Sequence, residues 1–250
     1  MPIITLTTDF GTRDGYVGAM KGVITHLVRE ATLVDITHDI ARHDIAHAAW
    51  VVATACREFP HHTIHIVVVD PGVGGARQAV IVGARHHYYV GPDNGVFAYL
   101  SVGRAWAIAN PAIAAPQVSP TFHGRDIFAR AAAALALGKD PDQIGPDATL
   151  ESALPWGPRR DGEGRIVHVD TYGNLISDLP AEEAGAAVAI GGRRLAIGRT
   201  YEDVPRGELL AYVGSARTIE VAVREGRADR VLDAPRGTLV VPVVAGEVYR

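Results

Sequence analysis

The chain has 250 residues, 48% hydrophobic and 21% charged, enough for one large domain or two modest ones. A formal net charge of −4 gives no global basic field, which excludes nucleic acid and anionic membranes as expected partners. The single cysteine, Cys56, excludes an intrachain disulfide and points to the cytoplasm, and no apolar run approaches the roughly 20 residues needed to span a bilayer.

The opening segment MPIITLTTDF lacks a basic region and a cleavage site, so it reads as a first strand over residues 3–8 and not as a signal peptide. A helix follows, with Tyr16/Val17, Met20, Val23/Ile24 and Leu27/Val28 at helical spacing and Asp14 in its first turn. Residues 32–36 form a second strand. A second helix covers 43–59, with Ile45, Ala48, Val52, Cys56 and Phe59 on one stripe. Residues 63–69 are almost all apolar and β-branched, as a strand buried on both faces should be. Further strands are expected over 78–83 and 87–90, and an Ala-rich helix over 126–137.

This alternation predicts an α/β fold: an N-terminal Rossmann-like, mainly parallel sheet flanked by helices, over residues 1–155. A linker rich in Pro and Gly follows at about 156–162. From 163 to 250, short strand candidates at 165–170, 186–190, 208–213, 218–223 and 238–243 predict a smaller β-barrel-like domain.

Ligands of parallel sheets bind beyond the carboxyl ends of the strands. Asp9 ends the first strand and Asp70 the third, so both face one crevice. Asp9 could hold a ribose diol, or it could serve as a turn or capping aspartate. The loop Asp70-Pro71-Gly72-Val73-Gly74-Gly75-Ala76-Arg77 is glycine-rich but lacks the lysine of a phosphate-binding loop. Asp70 and Arg77 could act on a ligand or form a structural ion pair. His123, in Thr121-Phe122-His123-Gly124-Arg125-Asp126, enters a helix whose dipole favours neutral imidazole, and it suits proton handling or simple capping. In Asp170-Thr171-Tyr172-Gly173-Asn174 an amide could read a purine and a ring could stack on it, although the same residues make good turn chemistry. The 11 histidines invite a metal reading. His43 and His47 are four apart but lack the glutamate of a zinc-protease pair, and His61, His62 and His65 lie at the far end of the third strand; no metal is expected.

Taken in order, Thr-Thr-Asp-Phe-Gly, Asp-Pro-Gly-Val-Gly, Thr-Phe-His-Gly-Arg-Asp and Tyr-Gly-Asn-Leu-Ile make the chain similar, nearly end to end, to the S-adenosylmethionine (SAM) hydroxide adenosyltransferases. These are relatives of the SAM-dependent fluorinases and chlorinases. The resemblance implies hydrolysis of SAM to adenosine and methionine without a cofactor, in a homotrimer with active sites between subunits. It implies a catalytic set of Asp70, Arg77 and His123: Asp70 accepts the proton of a water, Arg77 stabilises developing hydroxide, and His123 orients the water. It also implies Asp9 on the ribose, Asp170 at the methionine end, Asn174 on adenine with Tyr172 as a wall, Ser215 on the methionine carboxylate, and backbone around Val223 and Glu225 on adenine. Halogenating relatives replace the aspartate and carry an added loop; here Asp70 is present and residues 78–97 run through without insertion. Arg224 stands where such hydrolases often have Asn, and Arg217-Thr218 replaces an aromatic position. The alternatives are a chlorinase and a non-catalytic adenosine or SAM sensor.

Overall fold

A computed structural model describes residues 1–150 and 153–243. Met1–Pro155 and Trp156–Arg250 form two compact units. The first begins with β1 (Ile3–Thr8), α1 (Tyr16–Leu27), β2 (Thr32–Thr37), α2 (Ile45–Ala55) and β3 (Ile64–Val68). It continues through β4 (Ala79–Ala84), β5 (His87–Pro92), β6 (Arg104–Ala107), a π-type turn at Gly124–Phe128, α3 (Ala129–Ala136) and the single turn α4 (Pro141–Ile144).

The six strands lie in the order β2-β1-β3-β5-β4-β6. β2, β1, β3 and β5 are parallel, but β4 runs antiparallel to both β5 and β6. The sheet is therefore mixed: β4 alone runs against the other five strands, so most of the sheet keeps the expected common direction. The cause of the reversal is a two-residue hairpin between β4 and β5, in which Arg85 and His86 both take positive φ, 49° and 66°. An all-parallel sheet would need a crossover of a dozen or more residues after β3. Here the chain crosses over the end of β5 and returns down β4, so both ends of the loop 69–78 stay at the carboxyl end of β3.

β3 is central and wholly buried. Ile64, Ile66 and Val68 face the cluster formed with Met20 and Ile24 of α1 and Ala131, Ala132 and Leu135 of α3. Val67 and Val69 face Ala48 and Val52 of α2. Cys56, just beyond α2, is fully buried there, and burial pushes its thiol up to about 12. His65 is the polar exception in β3: its Nδ1 lies 2.8 Å from Thr5 Oγ1, and its Nε2 lies 3.4 Å from His87 Nδ1.

The second unit contains β7 (Gly164–Val169), β8 (Leu175–Pro180), β9 (Ala187–Ile190), β10 (Arg193–Gly198), β11 (Leu209–Val213), β12 (Thr218–Val223), the turn α5 (Ala228–Val231) and β13 (Leu239–Pro242). These strands close in the order β10-β11-β12-β8-β7-β13-β9 around Ile166, Leu179, Val188, Ala211 and Val221. Closure removes the exposed edges that so small a sheet would otherwise present. No helix among the described residues is long and apolar enough to cross a membrane.

Candidate active site

A cavity of about 260 Å³ opens where β1 and β3 end, and Asp9, Asp14, Asp70 and His123 line it together with the rings of Phe10, Tyr16 and Phe122. Asp70 follows β3 by two residues. The loop after it is pinned by Asn94, whose Nδ2 donates to Val69 O at 2.8 Å. Gly74 has φ +76°, and a Cβ there would run into the Pro120 carbonyl oxygen. That close approach docks the loop carrying Asp70 and Arg77 against the segment leading to His123.

Arg77 joins the cluster. Its Nε donates to both Asp70 oxygens at 3.0 Å, and its Nη2 donates to Oδ2 as well. Nη2 also lies 2.8 Å from His123 Nδ1. A guanidinium has no acceptor, so Nδ1 must be the unprotonated nitrogen and His123 is the neutral Nε2–H tautomer. The same conclusion follows from its environment: burial first, then the Arg77 charge, holds the His123 imidazole below its ordinary value. The Arg77 side chain is 11% exposed and the Asp70 side chain 4%. Arg77 stands behind Asp70 and His123, outside the residues that line the cavity, and its guanidinium carbon sits 5.5 Å from the Phe128 ring centre. Thus the pair that could have been only structural is an ion pair, and it is also tied to the histidine.

Asp9 lies on the same cavity. Its Oδ2 accepts from the His43 backbone N at 2.9 Å, and its Oδ1 takes no partner among the described residues. Asp14 precedes α1, whose first turn carries no acidic residue, so its expected place inside the helix is corrected: it stands at the cavity. Tyr16, read as part of the α1 apolar stripe, is 52% exposed and belongs to the cavity wall. Its ring meets Phe10 and Phe122 edge-on at 5.9 and 5.4 Å between centres, a cluster the sequence analysis missed. The only signal was position, since both phenylalanines sit inside motifs already singled out. His43 and His47 join no metal-binding group, because no set of three or more His, Cys, Asp or Glu side chains converges among the described residues.

In the second unit, Asp170, Tyr172 and Asn174 share the tight turn between β7 and β8. Asp170 Oδ1 accepts from the backbone N of Tyr172 and of Asn174, both at 2.9 Å, and Oδ2 accepts from Asn174 Nδ2 at 2.9 Å. Asp170 thus organises the turn, while Tyr172 is 76% exposed. Ser215 is in the β11–β12 turn, at the opposite end of β12 from Val223 and Glu225. The Val223 side chain is in the barrel core and its carbonyl accepts from Gly226 N at 3.1 Å. Glu225, at φ 55°, pairs with Arg206 at 3.0 Å.

An acid, a guanidinium and a neutral imidazole joined at a small-molecule cavity, in an α/β unit followed by a β-barrel, are the parts of a small-molecule enzyme. The N-terminal domain of the SAM hydroxide adenosyltransferases matches residues 4–145, and their C-terminal domain matches residues 164–241. The chain belongs to that family. It is 39% identical to the (R)-S-adenosyl-L-methionine hydrolase of Thermus thermophilus, over 92% of this chain and 95% of that one. It is 36% identical to the enzyme of the same name from Salinispora arenicola, over 94% and 95%. A crystal structure of an uncharacterised conserved protein from Thermotoga maritima superposes with a TM-score of 0.85 at 32% identity, covering 96% of this chain and 99% of that one.

Proposed function

We propose that this chain hydrolyses S-adenosyl-L-methionine to adenosine and L-methionine. The oxygen of a water bonds to the ribose 5′ carbon, the C–S bond breaks, methionine leaves as a neutral thioether, and one proton is released. The sulfonium is a good leaving group, so the difficulty lies in the nucleophile: bulk water has a pKa of about 15.7.

The observation that carries the reading is the Asp70–Arg77–His123 cluster opening on the same cavity as Asp9. It also favours one of two candidate bases. His123 Nδ1 is occupied by Arg77, so its free nitrogen bears a proton and donates. The base is then Asp70, whose oxygens retain lone pairs beyond those taken by Arg77. Water is far too weak an acid to surrender its proton fully to a carboxylate, so proton transfer accompanies attack. Arg77 keeps Asp70 and His123 in place and lends positive charge from behind to the developing hydroxide. General-base assistance contributes about 10²–10⁴ in rate, and in-line alignment must supply much of the remainder.

In this reading Asp9 holds the ribose hydroxyls, and Asp170, Tyr172, Asn174, Ser215 and the backbone near Val223 and Glu225 serve the methionine and adenine ends. The protein acts in the cytoplasm as a homotrimer, with neither metal nor organic cofactor. The family resemblance supports the trimer; the single cysteine, which allows no intrachain disulfide, supports the compartment.

The test is chromatography of chelator-treated protein incubated with SAM in ¹⁸O water, with and without excess chloride. Adenosine carrying the label at its 5′ hydroxyl, formed equally in both, is the expected result. Asp70→Asn should lower turnover by about 10²-fold or more while adenosine still binds. A chlorinated nucleoside, or an Asp70→Asn variant of undiminished rate, overturns the reading.

A further inference from the structure

The Asn174 side chain is the start of a hydrogen-bond chain that the reaction scheme does not use. Asn174 is 6% exposed, and its Nδ2 contacts Asp170 Oδ2 at 2.9 Å and the Tyr201 hydroxyl at 3.3 Å. The Tyr201 hydroxyl lies 2.8 Å from that of Tyr212, which donates to Glu220 Oε2 at 2.6 Å. Glu220 is 9% exposed, and it is accommodated by Gly214, where any Cβ would collide with its carboxyl group.

The direction of every bond follows from its far end. A carboxylate only accepts, so Tyr212 spends its one proton on Glu220. Tyr212 must then accept from Tyr201, and Tyr201, its proton used, must accept from Asn174. The other amide hydrogen goes to Asp170. Both N–H groups of Asn174 are consumed, and Oδ1 is left as an acceptor with no partner among the described residues. Turning the amide over would set Oδ1 against the Asp170 carboxylate, oxygen against oxygen. Asp170 therefore settles which end of the amide is turned away from it, and the Tyr201 hydroxyl, oriented through Tyr212 and Glu220, takes the second amide hydrogen and fixes the plane of the amide.

We infer that Glu220, Tyr212 and Tyr201 are positioning residues that lock Asn174 with its carbonyl outward, so that the site accepts a purine bearing an exocyclic amino group and rejects one bearing an oxo group. This rests on the reading that Asn174 meets the nucleobase. An adenine offers an N–H to the waiting acceptor, whereas a hypoxanthine offers a second acceptor and leaves the buried amide unsatisfied.

Calorimetric titration with adenosine and with inosine tests it, on the wild type and on Tyr201→Phe, Tyr212→Phe, Glu220→Gln and Asn174→Ala. The wild type should favour adenosine by about tenfold or more, the equivalent of about 1.4 kcal/mol. Tyr201→Phe, on a half-exposed ring, frees one amide hydrogen and should bring the ratio down to about threefold or less, with kcat for SAM nearly kept and KM raised. A loss of stability alone would weaken both nucleosides equally and leave the ratio unchanged. If Asn174→Ala abolishes the preference but both Tyr→Phe variants and Glu220→Gln keep it, the relay is overturned and the base-contact reading survives. If Asn174→Ala keeps it, the base-contact reading itself falls, and the relay's role with it. A wild type without preference also overturns the proposal.

Discussion

Gly74 shows how much of the site depends on a residue with no side chain. Its positive φ and its contact with the Pro120 carbonyl leave no room for a β-carbon. Gly74→Ala should cost about 1–3 kcal/mol, the usual range for a backbone forced into a disfavoured region. Because the contact joins the Asp70 loop to the strand of chain before His123, the variant should also lose activity in excess of its lost stability. Urea midpoints and turnover measured together at a temperature where the variant stays folded will check this; full activity in the destabilised variant would uncouple the two loops. The residues of this cluster were readable from their motifs, but their arrangement was not. Asp70 and Arg77 were visible as a pair seven apart. That Arg77 also binds His123, 46 positions on, depends on folding of the whole sheet. The Glu220 relay was invisible for the same reason: Asp170 and Asn174 stood in a motif, but Tyr201, Tyr212 and Glu220 are scattered and carry no local pattern.

Elements with strong periodicity were legible, and those shaped by polar or turn residues were not. β3 and α2 were expected within a few residues of where they lie. β8, with its buried Asp178 and closing Pro180, and β10, which opens on two arginines, gave no alternating apolar signal and were missed. The Arg85-His86 turn hid the reversal of β4, because two-residue hairpins of this kind usually announce themselves with Asn or Gly. The π-type turn at Gly124–Phe128 likewise delayed α3 by three residues from its expected start. β3 also carries a consequence for acid stability. Burial, and secondarily the neighbouring His87, lowers the His65 imidazole to about 3, against 6.5 unfolded. Between those values the unfolded chain binds a proton that the folded chain refuses, so stability is lost as pH falls through this window, by up to about 1.4 kcal/mol per pH unit. Above pH 6.5 this contribution is constant. Urea midpoints from pH 7 to pH 4.5 should fall more steeply for the wild type than for His65→Gln; parallel curves would show that another group governs the acid limb.

At the scale of the whole molecule, two units with separate cores divide the chemistry proposed above. The groups proposed to activate water all belong to Met1–Pro155, and the amide proposed to read the base belongs to Trp156–Arg250. The first unit also holds the only cysteine, fully buried and with its thiol pushed up to about 12. A thiolate is the reactive form, so the native protein should release no colour with an aromatic disulfide reagent at neutral pH, and one equivalent after denaturation in guanidinium. Fast labelling of the native protein would refute the burial. An inert native thiol makes the chain a ready background for spectroscopic rulers. Cysteines placed at Val102 and Val231, 40% and 48% exposed and one in each unit, would be the only sites to take a dye pair. Energy transfer between them, read with and without adenosine, would then follow the spacing of the two units in solution without any native residue having first to be removed.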